Sequence, residues 1–126
     1  MSTTPNLLIP LIAQSQNLKE VTFNTAIDTL DEAMCSNKSE ALTGTTTTLP
    51  QSDFNFNGFL KFTGALTGDN TITLPSGIAK IFMILNATTG GHNLKFKVGS
   101  GSTVTISDAN PHLMYSDGVS VVYQLS

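Results

Sequence analysis

Near residue 45 the hydrophobic pattern of this chain changes period, and that change constrains its fold more than any other feature. Before it, Phe23, Ala26, Ile27, Leu30, Ala33 and Met34 recur at helical spacing and form one apolar stripe, with Asp28, Asp31 and Glu32 off it. After it, apolar and β-branched residues alternate with polar ones in short runs separated by turn residues. A helix and a set of strands are therefore expected in that order. The spacing predicts a helix capped by Thr22 and ending near Ser36-Asn37, preceded by a single turn at Asn17-Leu18-Lys19-Glu20, which has capping-box spacing. Such a short helix is marginal alone in water and persists only if its stripe is covered. The cover is either the chain's own core or a seam between copies.

Upstream, Leu7 to Ile12 is apolar but interrupted by Pro10, which bars a central strand or a helix interior. An extended arm is expected, packing Leu7, Leu8, Ile9 and Ile12 onto something else. Residues 38–44 read as a linker. Strands are expected at 45–49, 53–57, 59–63, 70–74, 79–85, 93–98, 103–107 and 119–125, the last after a turn at Asp117-Gly118. The run from Ala79 to Leu85 is the most apolar, so it is expected to be central. The fold class is mainly β: a small antiparallel β-sandwich or barrel, residues 43–126, preceded by an arm and short amphipathic helix, residues 1–42. Thr46-Thr47-Thr48-Leu49, Thr71-Ile72-Thr73-Leu74 and Thr103-Val104-Thr105-Ile106 share a T-x-T core. Their spacings are unequal, and the echo is not taken as a repeat.

Charged residues make up only 12% of the chain, and the net charge is −3. The resulting polar but uncharged surface can be buried against another copy at lower desolvation cost than a charged one. All six basic residues are Lys. Without Arg and with an acidic balance, nucleic acid is not expected as a partner. The first apolar run is too short for a signal peptide or a bilayer span, so cytosolic synthesis and no membrane insertion are expected.

Residues that could carry chemistry are few and scattered. His92 and His112 read as solvated loop histidines without partners at metal-ligand spacing. Asp108, Asn110 and His112 alternate near a turn but lack the length and closing acid of a Ca²⁺ loop. Cys35 reads as a small buried helix residue. Gly99-Ser100-Gly101-Ser102 has no following helix to make a phosphate cradle. The aspartates at turns are explained by turn formation. No enzyme activity, cofactor or metal is expected.

The run from Thr4 to Gln16, followed by Lys19-Glu20-Val21-Thr22, Asn24, Ala26 and Leu30-Asp31, resembles the N-terminal segment of phage and gene-transfer-agent fibre and spike proteins. It covers about a quarter of the chain. A looser likeness to β domains of phage fibre proteins runs through Gly64 to Asp69, Ile72, Leu74-Pro75, Asn86-Ala87-Thr88 and Ser116 to Val119. The resemblance implies a virion structural protein, assembled in the host cytoplasm. It implies a homotrimer attached through residues 4–36 to other virion proteins of the capsid, neck or tail. The chain ends after its β domain, where family members usually carry a receptor-binding part, which favours a short fibre, adaptor, decoration or cement role. The expected anchors are Leu7, Leu8, Ile9, Ile12, Phe23, Ile27 and Leu30. The alternative is a host-receptor or glycan-binding module, although no residue here marks a sugar site.

Overall fold

The computed structural model describes residues 3–125. Helix α1 (Lys19–Cys35) leads into nine strands and one further short helix: β1 (Asn37–Ala41), β2 (Thr46–Thr48), α2 (Gln51–Asn55), β3 (Phe59–Thr63), β4 (Asn70–Leu74), β5 (Lys80–Asn86), β6 (Leu94–Val98), β7 (Val104–Ile106), β8 (His112–Ser116) and β9 (Val122–Gln124). The domain is mixed and mostly strand. Its strands form a five-stranded sheet, β1-β3-β5-β8-β9, and a four-stranded sheet, β2-β4-β6-β7. As the apolar run implied, β5 is the middle strand of the larger sheet.

The expectation of antiparallel pairing is corrected. Of the seven strand pairings among the described residues, four are parallel: β1 with β3, β3 with β5, β2 with β4, and β4 with β6. Through β6 the chain alternates between the sheets, so each strand meets its neighbour one lap later, running the same way. The laps are 22 and 24 residues in the larger sheet (Asn37 to Phe59, Phe59 to Met83) and 25 and 24 in the smaller (Thr46 to Thr71, Asn70 to Leu94). Thr46–Thr48 lies in register against Thr71–Thr73, so the first step of the T-x-T echo is one lap. The second step is not, because Thr103 to Ile106 belongs to the reversal: β7 turns back antiparallel on β6, and β8 and β9 then add antiparallel strands beside β5.

In-register parallel neighbours point their side chains to the same face, so the interior is built in rows. Leu60 lies beside Ile84, Ile72 beside Phe96, and Leu74 beside Val98. All six are buried. Phe62 and Phe96 meet edge to face across the sheets at 5.6 Å, and Phe54 meets Phe82 at 4.9 Å. Each fully buried side chain of this kind contributes roughly 1.5–3 kcal/mol. The first lap differs: Lys38 is in register with Leu60 and Glu40 with Phe62. The open end of the coil therefore presents charged side chains on its inward face.

Two further expectations are corrected. Residues 53–57 do not form a strand. Gln51–Asn55 is a helical turn with Pro50 at its N-cap, and Asn57 Nδ2 donates to Asp53 O at 2.8 Å to close it. The Phe54/Phe56 alternation instead separates a buried ring from an exposed one. The supposed linker contributes β1, whose polar sequence hides a real edge strand.

Candidate assembly face

The arm does not extend. Thr4 N–H donates to Ile9 O at 2.9 Å, Ile9 N–H donates to Thr4 Oγ1 at 3.0 Å, and Thr3 bridges Pro10. This doubled-back loop requires Leu8 at φ 56°, left-handed backbone that a leucine rarely adopts. It tucks Ile9 away and packs Leu7 and Leu8 on the chain's own core.

Helix α1 starts at Lys19, earlier than expected, with Leu18 at its N-cap in left-handed conformation and no side-chain cap. Thr22 is thus a buried interior residue, and Gln16 Nε2 donates to its hydroxyl. Thr22, Thr29 and Ala33 form the buried face. Beside them, Phe23, Ile27, Leu30 and Met34 stand exposed, at 55, 49, 40 and 70%. They are spaced by four, three and four residues, the a/d rhythm of a helical seam. Glu20, Asp28, Asp31 and Glu32 occupy other positions around the helix. Ile12 in the arm is also exposed.

The expected anchors therefore separate into two groups. Leu7, Leu8 and Ile9 serve the chain's own packing, while Ile12, Phe23, Ile27 and Leu30 face outward. Met34 extends the outward row and also lines a groove of about 690 Å³, together with Leu7, Phe59, Ile81, Met83 and Leu113. Ile81 and Met83 lie on the outer face of β5, so the apolar surface runs from the helix onto the larger sheet. The alternation within 79–85 carried this information, since only one of its two faces can be core.

Three contacts fix α1 to the body. Gly58 and Phe59 both donate their N–H groups to Ser36 O, at 2.9 and 3.2 Å. Gly58 lies so close to the helix end that a Cβ there would fall 2.5 Å from Met34 O. Lys80, buried at the start of β5, donates from Nζ to Ala33 O at 3.1 Å, Phe54 O at 2.8 Å and Asn57 O at 2.8 Å. Its ammonium also sits 5.3 Å from the centroid of the Phe54 ring. Burial pushes Lys80 down to about 8, so it carries its charge at neutral pH. A lone lysine between Ala79 and Ile81 in the most apolar run was the signal that could have identified it.

The residues weighed for chemistry stay apart or serve turns. His112 lies in β8, not in a loop; its Nε2 is 2.7 Å from Asp108 Oδ1 and its Nδ1 is 3.2 Å from Gln124 Nε2. Asn110 N–H donates to Asp108 Oδ1 at 2.9 Å, closing a turn. His92 Nδ1 and Lys95 Nζ flank Asp69 at 3.8 and 3.7 Å. Cys35 is exposed, against expectation, because it ends α1 away from the buried face. Among the described residues no three His, Cys, Asp or Glu side chains gather as a metal site, and no helix is long and apolar enough to cross a membrane.

No protein-family model, curated protein or solved structure matches this chain.

Proposed function

We propose that this protein is a non-enzymatic structural subunit of a tailed-phage particle that associates with copies of itself through α1, as a trimer, and joins other virion proteins through its N-terminal region. We read its two sheets as the halves of a sandwich sharing one core. The observation that carries the reading is the outward row Phe23, Ile27, Leu30 and Met34, between 40 and 70% exposed on a helix whose other side is already packed. Monomeric proteins seldom leave a contiguous apolar patch of more than a few hundred Å² open. Covering the exposed part of each side chain gives about 1 kcal/mol per residue and per copy, and symmetric association multiplies that gain. The order of residues from Thr4 to Asp31, which resembles fibre and spike attachment segments, supports the particle context.

The test is the mass of the full chain in solution, by light scattering or sedimentation, for wild type and for the double variant Ile27→Asp/Leu30→Asp. Wild type should have three times the chain mass and the variant the mass of one chain, with unchanged strand signal in circular dichroism. The variant should also be missing from purified particles. A wild type that stays monomeric at about 100 μM refutes self-assembly through this face.

A further inference from the structure

We propose that Glu40 and Asp53 hold one proton between them, forming a clasp that tightens the first lap of the coil as pH falls. The argument starts from register. Lys38 and Glu40, two residues apart on β1, project to the inward face beside Leu60 and Phe62. Asp53 on α2 stands beside Lys38, with its Oδ1 3.8 Å from Lys38 Nζ. Glu40 Oε1 is buried and has no hydrogen-bond donor. Buried acceptors without donors are costly and rare. Two facing carboxylates can satisfy each other only when one is protonated, which converts two acceptors into an O–H···O bond.

Burial, the bond that a protonated Glu40 can donate to Asp53, and the Asp53 charge, in that order, push Glu40 up to about 7, against the pull of Lys38. Lys38 on β1 and Asp53 on α2 are the charged groups facing Glu40. Lys61 on β3 is in register with Ser39 and so lies on the opposite face. The geometry has a mechanical consequence. Among the described residues β1 is an edge strand, paired only with β3, and Ser36 alone separates it from the end of α1. Proton uptake therefore secures the joint between the helix and the sheets by tying β1 to α2. Inward charge on an edge strand also discourages pairing with a further strand. The clasp does not depend on whether copies associate.

The sign follows from the raised affinity for the proton. Between pH 4.5 and about 7 the folded chain holds more protons at this site than the unfolded chain, so stability falls as pH rises through that window and then levels off. Two measurements on the full chain test it. A carbon-detected titration of the Glu40 carboxyl should show a midpoint near 7 in wild type and one displaced toward the ordinary carboxylate range in Asp53→Asn. Thermal unfolding should give wild type a Tm about 2–4 °C higher at pH 5.5 than at pH 8, with much of that difference absent in Glu40→Gln. A wild-type Glu40 midpoint near 4.5 overturns the proposal, as does a Glu40→Gln variant that keeps the whole wild-type pH difference. If either variant fails to fold, the wild-type titration decides alone.

Discussion

Replacing Lys80 with Met keeps most of the side chain's bulk and removes its charge and all its donors. Lys80 is 7% exposed, so little water stands ready to replace what is lost. Three backbone carbonyls lose their partner: Ala33 in the last turn of α1, Phe54 in α2, and Asn57 before β3. The Ala33 carbonyl is among those a helix end leaves without an internal acceptor role. A hydrogen bond from a charged donor is worth roughly 1.5–3 kcal/mol, so three amount to several kcal/mol. Against this, the fall of the ammonium from 10.5 to about 8 means that burying the charge costs roughly 3 kcal/mol, which the variant recovers. The balance is a net destabilisation of about 2–6 kcal/mol in urea unfolding, with m unchanged. Hydrogen exchange should localise it: amides at the end of α1 and in α2 should lose protection before those of β4 and β6. A loss below about 0.5 kcal/mol, or uniform deprotection across both sheets, would refute the view that this one ammonium ties two helices to the central strand.

Two further outcomes follow from the same geometry. Gly58→Ala should lower stability by about 2 kcal/mol or more, since its Cβ would meet the backbone carbonyls of Met34 and Ala33 at 2.5 and 2.9 Å, and fluorescence or exchange probes on α1 should report a loosened helix end. Asp117→Ala should lower the Tm at pH 7, because Asp117 Oδ1 accepts the N–H groups of Val119, Ser120 and Val121. Those bonds hold its carboxyl below the usual range, so the deficit should be full above pH 4 and close as pH falls further.

The strands were legible where a run had both alternation and a turn at each end. Phe59–Thr63 and Asn70–Leu74 fall where their patterns placed them, and β5, β6, β7 and β9 fall within a few residues. The gaps have physical causes. β1 has the sequence Asn-Lys-Ser-Glu-Ala and buries almost nothing, so it carries no hydrophobic signal and is a strand only because β3 pairs with it. His112–Ser116 was hidden behind Pro111 and a histidine that suggested a loop. Parallel pairing was less legible still. Alternation says which face of a strand is buried but not which strand lies beside it, and the lap of about 24 residues left only one clear trace, the step from Thr46 to Thr71.

The stripe on α1 was legible as a stripe, but its destination was not. The sequence offered two ways to cover it, and in the structure two sides of the helix differ: Thr22, Thr29 and Ala33 are buried, while Phe23, Ile27, Leu30 and Met34 are exposed. The larger side chains occupy the uncovered side, which is the reverse of what a helix serving only its own core would do. The arm points the same way by contrast. Ile9 is buried and Leu7 and Leu8 are partly covered by the chain's own core, with left-handed backbone at Leu8. A fold that accepts left-handed backbone at Leu8 to bury Ile9 and partly cover Leu7 and Leu8, yet leaves Phe23, Ile27, Leu30 and Met34 between 40 and 70% exposed on the neighbouring helix, has an apolar face that its own packing does not explain.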